Sequence, residues 1–377
     1  MFLHPAWQLS LLLTVLHTAA TTAQAKIYYV DVKGEDLHSG STSRPFRTLK
    51  RGVESARPGD TVIVRDGIYG NENVVSGGDQ ADEASPVVLR RSGTPDAWIT
   101  IRAEHKWGAT LDCESRCDAY IDLYKSSYIV IQGFVITRGA REGIHSNDSA
   151  HHIVLRGNRI EYIAQRDSNS PYGLDGMYTN PRCHDFIIDG NVFHDIGRTN
   201  HTRLDHGLYL RGSNFTVINN LFYNLGRGWS IQAADGLTNV LIANNTFSFP
   251  DADGEDGQIM LWRMQTGVTI RNNIFYRPKG DPIARYHSHL SDCAVDHNLV
   301  FGASRMMADT SGCRVAQNQL GVDPRFADTS TPPFDFHLLP KSPAIGSGVS
   351  LQAVASDFDG AKRSPDASDM GAYAFPR

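Results

Sequence analysis

Between Ile129 and Val300 the alternation of apolar and polar positions falls into one eight-residue phrase that occurs seven times. IVIQGFVI begins at Ile129, IVLRGNRI at Ile153, FIIDGNVF at Phe186 and FTVINNLF at Phe215. VLIANNTF at Val240, VTIRNNIF at Val268 and CAVDHNLV at Cys293 follow. The starts lie 24, 33, 29, 25, 28 and 25 residues apart, and six phrases carry Asn at the sixth place, from Asn158 to Asn298, with Phe134 the exception. Apolar residues at places one and three, and again after the Asn, alternate inward and outward as a strand requires. A strand this short cannot bury its inner face alone, so copies at this spacing stack into a solenoid. At about 4.8 Å per coil the stacked strands make parallel sheets. The Leu spacing of leucine-rich repeats is absent, and few segments have helical periodicity. The reading is an all-β chain, a right-handed parallel β-helix. The repeated Asn is expected to take the left-handed conformation of a tight corner and to stack its amide along the axis.

A second row of strands precedes the phrases: GIHSN at Gly143, GMYTN at Gly176, GLYLR at Gly207, GWSIQ at Gly228, QIMLW at Gln258 and IARYH at Ile283. Alternation puts Ile144, Met177, Leu208, Trp229, Ile259 and Ala284 inside and leaves three outward columns. One runs His145, Tyr178, Tyr209, Ser230, Met260, Arg285. Another runs Asn147, Asn180, Arg211, Gln232, Trp262, His287. A third, just before the strand, runs Glu142, Asp175, His206, Arg227 and Asp256. Column neighbours are about 5 Å apart, which sets Asp175 beside His206 and Tyr178 beside Tyr209.

The ends of the chain read differently. Leu9 to Leu16 is an apolar core too short to span a bilayer, and Ala23-Gln24-Ala25 offers a small-x-small cleavage site. Residues 1–25 therefore read as a signal peptide cleaved after Ala25, and 26–377 as one β-helix domain, secreted or periplasmic. Within it, 26–70 hold a first strand and a short capping helix with Phe46, Leu49, Val53 and Ala56 on one face. Residues 323–377 form a closing segment. A net charge of −5 excludes the basic footprint of a nucleic-acid binder. Five cysteines suit an oxidising compartment. Cys113 and Cys117 can close a small loop, Cys293 and Cys313 can join neighbouring coils, and Cys183 is left as a buried ladder residue. His184, His194 and His201 read as turn residues, and His287 with His289 as a weak HxH pair.

The opening IYYVDVKGEDLHSGSTSRPFRTLKRGVESARPGDTVIVRDGIYG and the closing DPRFADTSTPPFDFHLLPKSPAIGSG and DMGAYAF, with the Asn-marked coils between, resemble secreted right-handed β-helix proteins of the pectate-lyase-like superfamily. The superfamily holds lyases, hydrolases, epimerases and silent members, so the resemblance implies architecture more than activity. Many of its lyases use a Lys or Arg base with acidic calcium ligands on this sheet. Here the outward columns contain no Lys, and Asp175, Asp205 and Asp256 are the candidate ligands for a calcium ion. YGLD at Tyr172–Asp175 and HD at His194–Asp195 are similar to the catalytic coil of alginate C5-epimerases. Those enzymes follow the Asp with Pro and His, where this chain has Gly176 and Met177, so His206 or His145 would have to replace the missing histidine.

The outward residue types fit cleavage of a uronic-acid polymer by β-elimination, which removes the proton at C5 beside a carboxylate. In that reading Arg211 or Arg227 neutralises the carboxylate, His206 or Tyr209 is the base, oriented in the first case by Asp175, and Tyr178 or Tyr209 protonates the leaving oxygen. His145, Gln232, Trp262 and Arg263 bind sugar, with Trp262 a flat platform. The expected partner is an acidic polysaccharide, taken by a monomer with no membrane span. The alternatives are a uronate C5-epimerase, a glycoside hydrolase using Asp175 with Asp205 or Glu255 with Asp256, and a non-catalytic carbohydrate-binding β-helix.

Overall fold

The computed structural model describes residues 24–70, 85–165, 173–198, 204–225, 228–234, 236–248 and 257–376. Most of the leader read from the sequence, together with Arg227, His201, Glu255 and Asp256, lies outside these residues.

The described chain is a right-handed parallel β-helix with one short helix. Each coil contributes a strand to up to three stacks. The first stack, the cleft sheet, contains Ile121–Tyr124, Ile144–Asn147, Met177–Thr179, Leu208–Leu210 and Ile231–Ala233. The second is formed by the repeated phrase, for example Ser127–Gln132, His151–Arg156, His184–Asp189 and Ser213–Ile218. The third follows the Asn and has ten strands among the described residues, from Gly67–Tyr69 to Gln319–Leu320. Two long strands, Ile259–Arg271 and Ile283–Asp296, run through both the first and second stacks and join them into one sheet. The pairing between coils is parallel and in register, Ile153 opposite Phe186 opposite Phe215 opposite Val240.

The repeated asparagines explain why the register does not slip. Asn158, Asn191, Asn220, Asn245, Asn273 and Asn298 are fully buried. Each side-chain oxygen accepts both the backbone N–H and the amide N–H of the ladder residue one coil earlier, as Asn245 does from Asn220 at 2.9 and 3.0 Å. The amide also donates to the carbonyl of the preceding strand, Val217 in that coil. Phe134, which has no amide to contribute, still has its N–H capped by Asn158. The left-handed conformation falls on the residue before the Asn, not on the Asn itself. Gly157, Gly190, Asn219 and Asn244 have φ of 62°, 63°, 56° and 54°. The corner bend is thus taken one residue early, which frees the ladder Asn to turn its amide into the interior.

Inside, Phe193, Phe222, Phe247 and Phe275 stack ring on ring with centroids 5.0, 5.0 and 4.9 Å apart. The helix Leu49–Ser55 covers the N-terminal end, N-capped by the Thr48 side chain, with Leu49 and Val53 buried. Cys113–Cys117 and Cys293–Cys313 are disulfides, and Cys183 is free and buried beside Ser146. Beyond Gln319–Leu320 the tail does not add a coil. It folds back along the outer face of the third sheet, where Phe336, Ala344, Met370 and Ala372 form one buried cluster with Val192, Leu221, Ile274 and Leu299. Arg363, almost fully buried, anchors it by donating to Asn219 Oδ1 and to the carbonyls of Asp369, Gly371 and Ala372. His184 and His194, read from the sequence as turn residues, lie within strands.

Replacing Asn245 by Ala orphans the N–H of Asn220 and the carbonyl of Val217 in a dry interior. The expected cost is about 3 kcal/mol, read as a lower denaturant midpoint with an unchanged slope. A loss within measurement error would show that the ladder is not what holds the register.

Candidate functional site

The cleft sheet carries a cleft of about 960 Å³ on its outer face. Asp175, Tyr178, His145, His206, Tyr209, Arg211, Gln232 and Trp262 all line it, with Asn147 and Asn180. Gly173 and Leu204 also line it. Arg263 is not part of the wall; its guanidinium lies over the Trp262 ring at 4.6 Å.

One column differs from the sequence expectation by a slip of two residues. Ile231, not Trp229, pairs with Leu208 inside, and Gln232, not Ser230, follows Tyr209. Backbone spacing sets this alignment. A Cβ on Gly143, Gly176 or Gly207 would meet a carbonyl of the next coil at 2.6–2.7 Å, and for Gly207 that carbonyl belongs to Ser230. Ser230, rather than Gly228, therefore continues the glycine ladder. One coil further on, a slip of one residue puts Ile283 opposite Ile259 and Ala284 opposite Met260. Arg285 consequently leaves its column; it donates to Ser288 Oγ and to the carbonyls of Asp309 and Ser311.

The observed column runs Asp122, His145, Tyr178, Tyr209, Gln232, Met260. His145 and Tyr178 have ring centroids 5.4 Å apart, and Tyr178 and Tyr209 stack at 5.5 Å. His145 Nδ1 is 4.0 Å from Asp122 Oδ2, a fully buried carboxylate. The carboxylate beside a cleft histidine is therefore Asp122, one coil before the sequence-derived columns begin. The strand IDLY at Ile121 carries that signal, had the row been extended backwards.

Asp175 does not orient the His206 ring. It accepts the backbone N–H of His206 at 3.0 Å, while the ring turns to stack on Trp229 at 5.3 Å and Tyr209 at 5.8 Å. His206 Nδ1 accepts from the backbone N–H of Trp229 at 3.0 Å, so its proton sits on Nε2, a buried atom with no partner. Gly228 makes this contact possible, because a Cβ there would meet Nδ1 at 2.4 Å. Burial pushes the His206 imidazolium down to about 3. A ring whose only lone pair is engaged and which resists protonation is a poor base and a suitable donor.

The carboxyls of the cleft are also shaped by burial. Desolvation pushes Glu142 up to about 8, against the pull of Arg141 and with Asp118 and Asp122 adding to the rise. Desolvation likewise raises Asp175 well above the carboxylate range, with Glu142 adding to it and the His206 N–H opposing. Burial raises the Tyr209 hydroxyl as well. The Nε of Arg211 is buried without a partner. The wall thus sets the Arg141 and Arg211 side chains beside two carboxyls, Glu142 and Asp175, that burial raises.

Of the three candidate calcium ligands, Asp256 lies outside the described residues and Asp175 and Asp205 can be placed. Asp205 is spent on a fully buried pair with Arg198 at 2.7 Å, and also accepts the backbone N–H groups of Leu174 and Arg198. Asp175 accepts the backbone N–H of His206, and among the described residues no three acidic or histidine ligands converge in the cleft. The same pairing removes Asp205 as a hydrolytic partner of Asp175. The epimerase-like halves also separate: Asp175 lines the cleft, whereas His194 sits on the third sheet, bound to Glu161 and Asp195 at 2.8 and 2.5 Å.

With this geometry established, the comparisons with known proteins agree on architecture. Residues 28–157 match a family model described as "Pel9A-like, right handed beta helix region", and residues 175–320 one described as "Right handed beta helix region". The chain is similar to the crystal structure of pectate lyase Pel9A, with TM-score 0.64 and 13% identity over 93% of this chain and 96% of that one. An alginate lyase from Paenibacillus sp. str. FPU-7 has TM-score 0.55 and 17% identity over 78% and 95%. A lacto-N-biosidase from Eubacterium ramulus has TM-score 0.51 and 12% identity over 78% and 67%. Among curated proteins, an uncharacterized protein of Bacillus subtilis (strain 168), YwoF, is 25% identical over 177 residues, 44% of this chain but only 35% of that protein. At these identities the likeness establishes the fold.

The buried groups give stability an opposed pH dependence. Glu142 ionises near 4.5 when unfolded and about 8 when folded, so the folded state keeps an extra proton between those values and stability falls as pH rises through them. His206 acts the other way: from its ordinary 6.5 down to about 3 the unfolded state holds the extra proton, so stability falls with pH there. Glu142→Gln is expected to flatten the decline in Tm from roughly pH 5 to pH 8. A constant Tm offset between variant and wild type across that range would contradict the assignment.

Proposed function

We propose that this right-handed parallel β-helix of the pectate-lyase-like superfamily cleaves a uronic-acid-containing polysaccharide by β-elimination. The observation that carries the reading is the make-up of the cleft, where the Arg141 and Arg211 guanidinium groups line the wall and burial raises the neighbouring Glu142 and Asp175 carboxyls toward the neutral form. Such a wall attracts an anionic chain without repelling its carboxylates. Trp262 supplies an apolar face for a sugar ring, and Asn147, Asn180 and Gln232 supply hydrogen bonds to its hydroxyls.

In this mechanism Arg211 pairs with the substrate carboxylate and stabilises the charge that develops on it as the C5 proton leaves. The Nε2–H of His206 is a second donor from the same wall. His145 takes the proton, and Asp122 stabilises the imidazolium that results. The C5–H electron pair forms the C4–C5 double bond while the C4–O bond breaks. Tyr209, kept protonated by burial, gives its proton to the departing oxygen, and Tyr178 bridges the two proton-transfer groups through its ring contacts. No step calls for a metal ion. The leader-like residues 1–25 and two disulfides support export, with the protein acting as a monomer outside the cytoplasm.

A second reading, glycoside hydrolysis, has one observation in its favour. Glu142 and Asp175 occupy equivalent positions on adjacent coils of the cleft wall and supply two carboxyls there.

Incubation with polygalacturonate, polymannuronate, polyguluronate and glycosaminoglycans separates the readings. Elimination yields the ultraviolet absorbance of an unsaturated uronate, with His145→Gln and Tyr209→Phe each lowering kcat by roughly 10²–10⁴-fold and Arg211→Ala by about 10²–10³-fold. New reducing ends without that absorbance, lost in Glu142→Gln, would replace elimination by hydrolysis. Proton exchange at C5 without scission would indicate epimerisation, and glycan retention alone a binding module.

A further inference from the structure

Away from the cleft, three imidazoles gather on the outer face of the second sheet. His151 and His184 are opposite each other on adjacent coils, and their rings stack with centroids 4.7 Å apart and planes 2° from parallel. His152 is the next residue after His151, and in a regular strand its side chain would point to the other face. It does not, because His152 takes a left-handed φ of 54° that breaks the alternation. Its Nδ1 comes within 2.8 Å of His151 Nδ1. One ring nitrogen from each of the three residues can be chosen so that all lie within 4.8 Å of one another. All three are half-buried, so an ion can enter while water is partly excluded.

The surroundings have the features of a ligand set. His184 Nδ1 donates to Asp185 Oδ2 at 2.6 Å, which leaves the Nε2 lone pair of that ring available. Asp185 is itself held by Asn214, whose amide donates to Oδ1 at 3.0 Å. A carboxylate behind a histidine is the usual way a protein fixes the tautomer and orientation of a metal-binding imidazole.

We propose that His151, His152 and His184 form a binding site for a borderline divalent transition cation of the zinc class, with Asp185 positioning the His184 ring. Imidazole nitrogens and a single carboxylate favour that class over calcium, which takes 6–8 oxygens. A tetrahedral zinc shell sets nitrogens roughly 3.3 Å apart, so binding turns His151 and His184 out of their parallel stack while the backbone stays in place. The cation would tie together two coils of the helix on the face away from the substrate.

The test uses the full-length protein without a polyhistidine tag, stripped with a chelator. Zinc is titrated in competition with a chromogenic chelator, and melting is followed with and without the metal. The expected result is one equivalent bound, a rise in Tm on adding zinc, and at least tenfold weaker binding with loss of the Tm rise in His184→Gln and in His152→Gln. If His184→Gln fails to fold, His152→Gln, at a half-exposed bulge, carries the same test. Zinc binding of unchanged affinity in the folded His152→Gln and His184→Gln variants would overturn the proposal. So would no zinc binding by the wild type. Activity on polysaccharide is not part of the readout, so the outcome stands apart from that of the lyase assay.

Discussion

Axial register is the constraint from which the rest follows. The His145, Tyr178 and Tyr209 neighbours of the cleft come from different coils, so these side chains meet only if the coils superimpose. The buried asparagine ladder enforces this by giving each amide two donors from the previous coil and one acceptor in the strand before it. A coil displaced along its strand would leave those groups unpaired in a dry core, where each orphan costs on the order of 1–3 kcal/mol. Phenylalanine stacks fill the space between ladder and cleft sheet but are apolar and tolerant of small shifts; the amides are not.

Rigid superposition allows the cleft to use burial as its electrostatic tool. Asp122, Glu142, Asp175 and His206 sit where backbone and neighbouring rings exclude water, so each group's charge depends on its partners. Asp205 is buried equally deeply but meets the Arg198 guanidinium directly and is withdrawn from chemistry. Among the described residues Glu142 has only Arg141, at 3.9 Å, and for both Glu142 and Asp175 desolvation outweighs that pull and raises the carboxyl. Arg141 and Arg211 line the same wall, although the chain as a whole carries −5. Local desolvation, rather than overall composition, shapes the electrostatics of the cleft.

The outer faces show a division of labour. The third sheet is covered by the C-terminal tail, which buries apolar residues such as Leu221 and Ile274 and uses Arg363 as a buried anchor. The second sheet carries the histidine cluster, with the tail's Leu351 and Val354 packed against Ile218, Leu241 and Ala243. The first carries the cleft. A solenoid presents distinct walls along its whole length, and here each wall has its own chemistry.

The coil repeat, the parallel stacking and the identity of most cleft residues were legible in the chain itself. A period of 24 to 33 residues marked by Asn and by alternating apolar positions admits few other folds. Tertiary structure alone decided the pairings. A slip of two residues preserves which side chains point inward, so alternation could not tell Trp229 from Ile231 or Ser230 from Gln232. Backbone crowding at Gly207 against Ser230 settles that choice, and no pattern of hydrophobicity records it. Nor could the sequence show that Asp175 binds a backbone N–H instead of an imidazole, or that Asp122 stands behind His145. Which atom of a buried polar group meets which partner is fixed by the packing of neighbouring coils, and that information exists only once the coils are stacked.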